Sequence, residues 1–416
     1  MSENIISICL DNQVLRHHGA VAGTTGYGKS NTNSNIVMAA IKMGYCVFLF
    51  DHKPDYQNLE QPNDEKDLFQ NLEKPNDEKD LVMDLEKPND KKDLVIHPKW
   101  EPQGFDCTVD YFSLSDDKSR KANAKEKLIN VYASSFDPYQ LASALFHKRG
   151  EDVPQENMTL LLNAYKDKQE EYNKYTWALK EAIEWIRGLD KGTMSDVLGG
   201  GSITGNSKTA MLRKLQARSM PWMDRMEEDS SARKLPGLGS PQKRLALEID
   251  VPLLIKGKTV NVIRVGQSQG RDYGLFLSFL LERVYNAKAS NPDLPPILYL
   301  IDEAQDIFSG SKQLREACED MLDANMRKGR SLNIAFWYGL QRFSALPESI
   351  SININSRIIM AHKQADEVKN ALPGASKEIL GLVTQLKRGE ALVSLFGSTS
   401  IVQAKMHPSK ALLTKE

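Results

Sequence analysis

The 416-residue sequence has little cysteine, almost no excess of charge of either sign, and no long apolar run. Its four cysteines, Cys9, Cys46, Cys107 and Cys318, show no CxxC spacing and no histidine at ligand spacing. That pattern argues against a disulfide scaffold or a zinc site and for a reducing compartment. Fifty-four basic against 55 acidic residues leave a formal net charge of −1, which excludes bulk cationic coating of nucleic acid but not a local basic face. The longest apolar stretches, such as LFLSFLL at 275–281, fall far short of the ~20 residues a membrane-crossing helix needs. The amino-terminal MSENIISICLDNQ has neither a basic lead nor a long apolar segment, so it does not read as a secretory signal. A cytoplasmic protein without a membrane span is the expectation. What is present is an ordinary globular composition, 41% hydrophobic, in a chain long enough for one to three domains.

Residues 19–23 read as a short buried strand, with a further strand candidate ahead of it at 5–10. Ile36, Ala39, Ala40 and Met43 then recur at helical spacing, Gly44 ends the helix, and 45–50 is an apolar run closing on Asp51. Strand, glycine-rich loop, helix and strand form a βαβ unit, which predicts a mainly parallel sheet covered on both faces. Later strands are expected at 259–265, 296–301, 333–338 and 356–360, with a last pair near 391–405 and a helix through 275–287. Between the two α/β ends, residues 118–235 are polar and mostly helical. Leu161, Tyr165, Tyr172, Leu179, Ile183 and Ile186 supply an apolar stripe there, and Trp177 and Trp185 are expected to pack within it. The expected class is therefore α/β, a mainly parallel sheet core carrying an inserted helical subdomain. The core would comprise 1–57, 97–117 and 246–416, with a surface insertion at 58–96 and the helical subdomain at 118–245.

The insertion is repetitive. NLEQPNDEKDLFQ (58–70), NLEKPNDEKDLVM (71–83) and DLEKPNDKKDLVI (84–96) recur every 13 residues. They carry net charges of −3, −2 and −1, which leaves +5 for the rest of the chain. The period matches no familiar solenoid, and each unit has a proline that interrupts regular structure. Tandem duplication that lengthened a surface loop and a partner-docking segment are both open readings.

Chemistry concentrates in three places. Gly23-Thr24-Thr25-Gly26-Tyr27-Gly28-Lys29-Ser30 fits G-x-x-x-x-G-K-[ST] between a predicted strand and a predicted helix. Glycines let the backbone turn its N–H groups toward phosphate oxygens, and the helix start adds its positive dipole end. Lys29 would reach the β- and γ-phosphates of ATP, Ser30 would ligate Mg2+, and Asn31 closes the contact set. The second place is ILYLIDEAQ at 297–305, where a doubly buried strand delivers Asp302 for the metal and Glu303 to polarise water. The third is the segment 329–342, whose strand ends in Gln341, an amide placed to sense the γ-phosphate. Among Arg327, Arg330, Arg342 and Arg357, Arg330 is the favoured guanidinium for a neighbouring subunit's phosphates. Gly199–Thr209 (GGGSITGNSKT) looks phosphate-like, but Lys208 does not adjoin a glycine and no strand precedes it. It reads as a loop into a basic helix, where Lys208, Arg213, Lys214 and Arg218 either face a DNA-filled pore or form a solvated face.

Taken in order, RHHGAVAGTTGYGKSNTNSNIV (16–37), FDHKPDY (50–56), LYLIDEAQDIF (298–308), GRSLNIAFWYGLQRFSALP (329–347), ININSRIIMAHKQADEV (352–368) and LKRGEALVS (386–394) resemble the HerA/FtsK superfamily. Residues 259–286 are similar more loosely. The resemblance implies a RecA-like core and a homo-hexameric helicase or translocase that moves double-stranded DNA with ATP and Mg2+. It also implies a nuclease or effector protein partner. Carried onto this sequence, Lys29 and Ser30 match the phosphate-loop pair, Asp302 and Glu303 the metal and base carboxylates, and Gln341 the polar sensor. Arg330 falls at the arginine of the family's GRK segment, a candidate trans-acting finger. Three departures stand out. Only 22 residues precede Gly23, too few for the small β-barrel that HerA proteins usually carry. The family's Ser-Gln-Arg-Pro is Leu340-Gln341-Arg342-Phe343, and the 13-residue repeats have no counterpart. Two rival classes share the resemblance: type IV secretion or conjugation ATPases, and a regulatory ATPase subunit of an antiviral defence complex.

Overall fold

The computed structural model describes residues 10–63, 103–115, 125–146, 151–201, 203–217, 220–228, 243–265, 270–308, 312–362, 364–398 and 400–413. The predicted strand at 5–10 and the repeat units beyond Asn63 lie outside these residues, apart from Leu10. The amino-terminal core runs α1 (Asn12–Leu15), β1 (Gly19–Ala22), α2 (Lys29–Lys42), β2 (Cys46–Asp51), β3 (Asn58–Pro62), β4 (Thr108–Ser113) and β5 (Lys127–Leu128). Five helices follow: α3 (Pro138–Leu145), α4 (Asp152–Glu171), α5 (Leu179–Gly188), α6 (Lys191–Val197) and α7 (Gly205–Ala217). A small hairpin, β6 (Met226–Glu228) and β7 (Lys243–Leu245), leads to α8 (Val251–Leu254). The core then resumes with β8 (Thr259–Arg264), α9 (Gly270–Ser290), β9 (Ile297–Ile301), α10 (Lys312–Gly329) and β10 (Ile334–Leu340). It ends through α11 (Glu348–Ser351), β11 (Ser356–Met360), α12 (Ala365–Ala371), α13 (Lys377–Val383), β12 (Glu390–Ser394), β13 (Val402–Lys405) and β14 (Ala411–Leu412).

Ten strands form one sheet in the order β13-β12-β11-β1-β10-β9-β2-β8-β4-β5. From β11 to β5 every pairing is parallel; β12 and β13 add an antiparallel edge. The central strands are buried along their whole length, which is why they read as continuous apolar runs and not as alternating ones. Register aligns their carboxyl ends: Ala22 of β1 lies opposite Leu340 of β10, and Tyr338 of β10 and Phe50 of β2 lie opposite Ile301 of β9. The residues just past those ends, Gly23, Gln341, Asp302 and the terminal Asp51, therefore share one rim. Crucially, β10 is threaded between β1 and β9.

The inserted helices pack through Leu161, Tyr165, Leu179, Ile183 and Ile186 as the periodicity predicts, and Trp177 and Trp185 both pack on Tyr165 at 5.3 Å. Tyr172 departs from the stripe. It is the C-cap of α4, one step beyond the last helical residue, and is exposed because Asn173 turns the chain away with a φ of 57°. The basic helix is α7, and its cations are largely committed inside the molecule. Lys208 Nζ donates to the carbonyls of Arg187 and Leu189, both at 2.9 Å, neutralising the carboxyl end of α5. Lys214 pairs with Glu151 at 2.8 Å. Arg213 stays exposed and Arg218 lies outside the described residues, so two of the four cations read as a pore-facing or solvated set are engaged within the molecule. Among the described residues no helix is long and apolar enough to cross a membrane.

The opening residues of the first repeat form β3, which pairs with β14 near the carboxyl terminus. Asn63 N and Gln103 N, on either side of the insertion, both donate to the Lys410 carbonyl, at 2.8 and 2.9 Å. At the β5 edge, Arg264 makes a bidentate pair with Glu126, its Nε and Nη2 at 2.5 and 2.8 Å, with both side chains buried. Removing one charge of a buried pair costs about 3–5 kcal/mol. Glu126→Gln is expected to lower unfolding free energy by that order in chemical denaturation, and a loss under about 1 kcal/mol would show the pair to be solvated.

Candidate active site

The loop between β1 and α2 is anchored at both sides. Gly23 N donates to the Leu340 carbonyl and Thr24 N to the Ala361 carbonyl, both at 3.1 Å, so these two N–H groups fasten the loop and are not available for phosphate. Gly28 is the N-cap of α2 with φ 106°, a left-handed conformation that favours glycine, and no side chain caps it. Gly26, at φ 89°, faces open space: a Cβ there would meet nothing within 4 Å. No acidic residue of α2 itself lies in its first turn. Tyr27 is half-buried, and its carbonyl accepts from Gly389 N at 3.1 Å. The Asn31 side chain accepts from Ser409 N at 3.3 Å.

Lys29 Nζ meets Glu303 Oε2 at 3.0 Å, and both side chains are buried. Glu303 sits at the first position past Asp302 in a left-handed conformation, φ 50° and ψ 45°, which aims its carboxylate back over the strand ends. Around it converge Gln341 Nε2 at 2.9 Å, Gln305 Nε2 at 2.6 Å and Lys53 Nζ at 3.3 Å. Burial alone would raise the Glu303 carboxyl. Lys29 and the two amide donors outweigh it and hold the group at about 2. Gln341 is itself fixed, its carbonyl 2.9 Å from His362 Nε2.

Asp302 is fully enclosed, and burial pushes its carboxyl up despite the attraction of Lys29. Its Oδ1 accepts from Asn33 Nδ2 at 3.2 Å and its Oδ2 from the Tyr56 hydroxyl at 3.4 Å. A Cβ on Gly339 would collide with that carboxylate and come within 2.8 Å of Asn33 Nδ2, so the glycine in β10 makes room for Asp302. Ser30 Oγ donates to Asp55 Oδ2 at 2.8 Å, and burial drives Asp51 well above the ordinary carboxylate range.

Lys29, Ser30, Asp302, Glu303 and Gln341 are thus gathered at one rim. Arg330 is not: it lies before β10, at the opposite rim, ~20 Å away by strand rise. The other arginines are sorted by their partners. Arg327 pairs with Asp323 on its own helix, and Arg357 donates to the carbonyls of Ile354, Ala371 and Ser351. Arg342 is exposed one residue beyond Gln341. Four site residues were not singled out from sequence. Asn33 lies one turn after Lys29 on the same helix face, Lys53 and Asp55 belong to the FDHKPDY segment, and Gln305 follows Glu303 by two.

A phosphate loop, an acid pair two strands away and an amide on the strand between them, set in this sheet order, define a RecA-like P-loop ATPase. The chain belongs to the family described as helicase HerA, central domain, which matches residues 1–284. Among solved structures the fold is similar to the bacterial conjugative coupling protein TrwBdeltaN70, with TM-score 0.56, 12% identity, and coverage of 98% of this chain and 89% of that one. TrwB in complex with the non-hydrolysable ATP analogue ADPNP gives 0.56 at 13% identity over 100% and 92% of the two chains. VirB4 of Thermoanaerobacter pseudethanolicus gives 0.54 at 13% over 94% and 89%. At such identities the likeness is one of fold. No curated protein matches by sequence.

The pairing of Lys29 with Glu303 makes a specific forecast. Nucleotide phosphates must draw Lys29 away from a carboxylate, so Glu303→Gln should bind ADP at least as tightly as the parent while losing ~10²–10⁴-fold in turnover. Calorimetric titration and steady-state kinetics check it; weakened ADP binding with an intact fold would overturn it.

Proposed function

We propose that this chain is the ATPase subunit of a ring, a homo-hexamer in the family pattern, that uses ATP and Mg2+ to translocate or grip double-stranded DNA. One observation carries the ATP-hydrolysing part. The lysine suited to phosphate and the carboxylate suited to water activation hold each other in a buried pair, with Gln341 bonded to the same carboxylate. Lys29, drawn to phosphate, releases Glu303, and the carboxylate regains basicity as its strongest cationic neighbour leaves. Lys53 and Gln341 stay in reach and keep Glu303 oriented, while Gln341 supplies an amide where γ-phosphate oxygens would lie.

The residues present fit Mg2+. Ser30 offers a hydroxyl oxygen and Asp302 a carboxylate, the hard donors that ion prefers, and Asp302 is a buried acid whose charged form a cation would favour. Asp55 accepts the hydrogen bond of the Ser30 hydroxyl, which leaves the oxygen's lone pairs for the metal. When bound, the ion would neutralise charge on the β- and γ-oxygens. Arg330, exposed at the opposite rim, suits delivery to the phosphates of the next copy in a ring.

DNA as substrate is supported by membership of the HerA helicase family, not by the α7 cations, two of which are engaged internally. The experiment is ATP turnover with and without duplex DNA across a salt series. Duplex DNA should raise turnover, and log stimulation should fall steeply with log salt through counterion release. No stimulation at low salt would overturn the DNA reading. Lys29→Ala should abolish turnover, and normal activity in that variant would overturn the site.

A further inference from the structure

The rim opposite the phosphate loop carries a second polar constellation, built on the two histidines that precede β1. His18 is buried and knits α10 to β10, with Nε2 3.0 Å from the Met326 carbonyl and Nδ1 3.1 Å from Phe336 N. Burial pushes its pKa down to about 4, so it is a neutral structural ring. His17 is arranged differently. Its ring stacks on Phe396 with centroids 3.4 Å apart and planes 12° from parallel. Phe396 is held in turn by its N–H on Ser356 Oγ at 3.0 Å. His17 Nδ1 lies 2.7 Å from the Gln13 carbonyl, which can only accept, so Nδ1 carries the proton. Nε2 is then a lone-pair acceptor, and Arg330 Nη2 lies 2.5 Å from it. A guanidinium only donates, so the contact is complete with a neutral ring.

That choice of acceptor matters. Arg327 is neutralised by Asp323 and Arg357 is consumed by backbone carbonyls, whereas Arg330 is bonded to an uncharged ring while remaining exposed. A carboxylate in the place of His17 would orient the guanidinium but cancel its charge. An imidazole orients it and leaves the full positive charge to act elsewhere. The stack on Phe396 fixes the plane of the imidazole and hence the direction of its lone pair.

We infer that His17 is a positioning residue for Arg330, holding its guanidinium at the outer rim for phosphates bound by a neighbouring copy. This rests on the ring reading given above, and the test separates the two. Full-length Lys29→Ala copies keep Arg330 but cannot turn over ATP, while Arg330→Ala copies keep their own phosphate loop and should lose ~10³-fold in turnover. Equal mixtures assembled together should recover activity that neither has alone. No recovery overturns the trans role of Arg330, and the role of His17 falls with it.

Given recovery, His17→Phe keeps the stack on Phe396 and removes the acceptor. It should lower kcat by ~10²-fold with KM for ATP changed less than ~3-fold, because a misaimed group costs rate and not binding. Lys29→Ala copies should rescue it as they rescue Arg330→Ala. His17→Gln, whose amide oxygen can accept, should retain kcat within ~10-fold of the parent. Parental kcat in His17→Phe would overturn the inference. So would equal loss in His17→Phe and His17→Gln accompanied by a lowered melting temperature, the mark of a merely structural ring.

Discussion

The candidate site is organised around one contact, the ion pair between Lys29 and Glu303, residues 274 apart in sequence. Burying two opposite charges is expensive unless each is otherwise satisfied, and here the carboxylate also accepts from two amides. The pair exists only because β10 is threaded between β1 and β9 with their ends in register. The pairing encloses the lysine and, with Gln341, engages both oxygens of the carboxylate.

The polar groups divide between two rims of one sheet. At the carboxyl ends of the strands, side chains are enclosed and mutually neutralised. At the amino ends, Arg330 is kept exposed and uncancelled by an uncharged acceptor. Elsewhere cations serve the subunit's own architecture: Lys208 on a helix end, Lys214 on Glu151, Arg264 on Glu126. A count of basic residues therefore says little about the charge this molecule presents; what counts is which of them the fold leaves unspent.

Much of this was legible in sequence because it depends on local pattern. The βαβ start, the doubly buried strands at 259–264 and 297–301, and the phosphate-loop and acid-pair residues follow from apolar runs and from motifs with fixed spacing. What was not legible depends on pairing at a distance. No periodicity tells that Lys53 will lean on Glu303, or that Lys208 will find two carbonyls of α5. Tyr172 fits the helical stripe by spacing, yet the chain breaks one residue before it. His17 and Arg330, 313 residues apart, look like a stray histidine and a surface arginine until β1 and β10 are laid side by side.

The Lys410 carbonyl, accepting from Asn63 and Gln103 together, acts as a clasp across the base of the 39 intervening residues. Asn63 belongs to the first unit, whereas Gln103 and Lys410 lie outside the repeats, so a unit inserted after Asn63 would leave all three clasp groups in the chain. The number of units could then change without removing any hydrogen bond of the clasp.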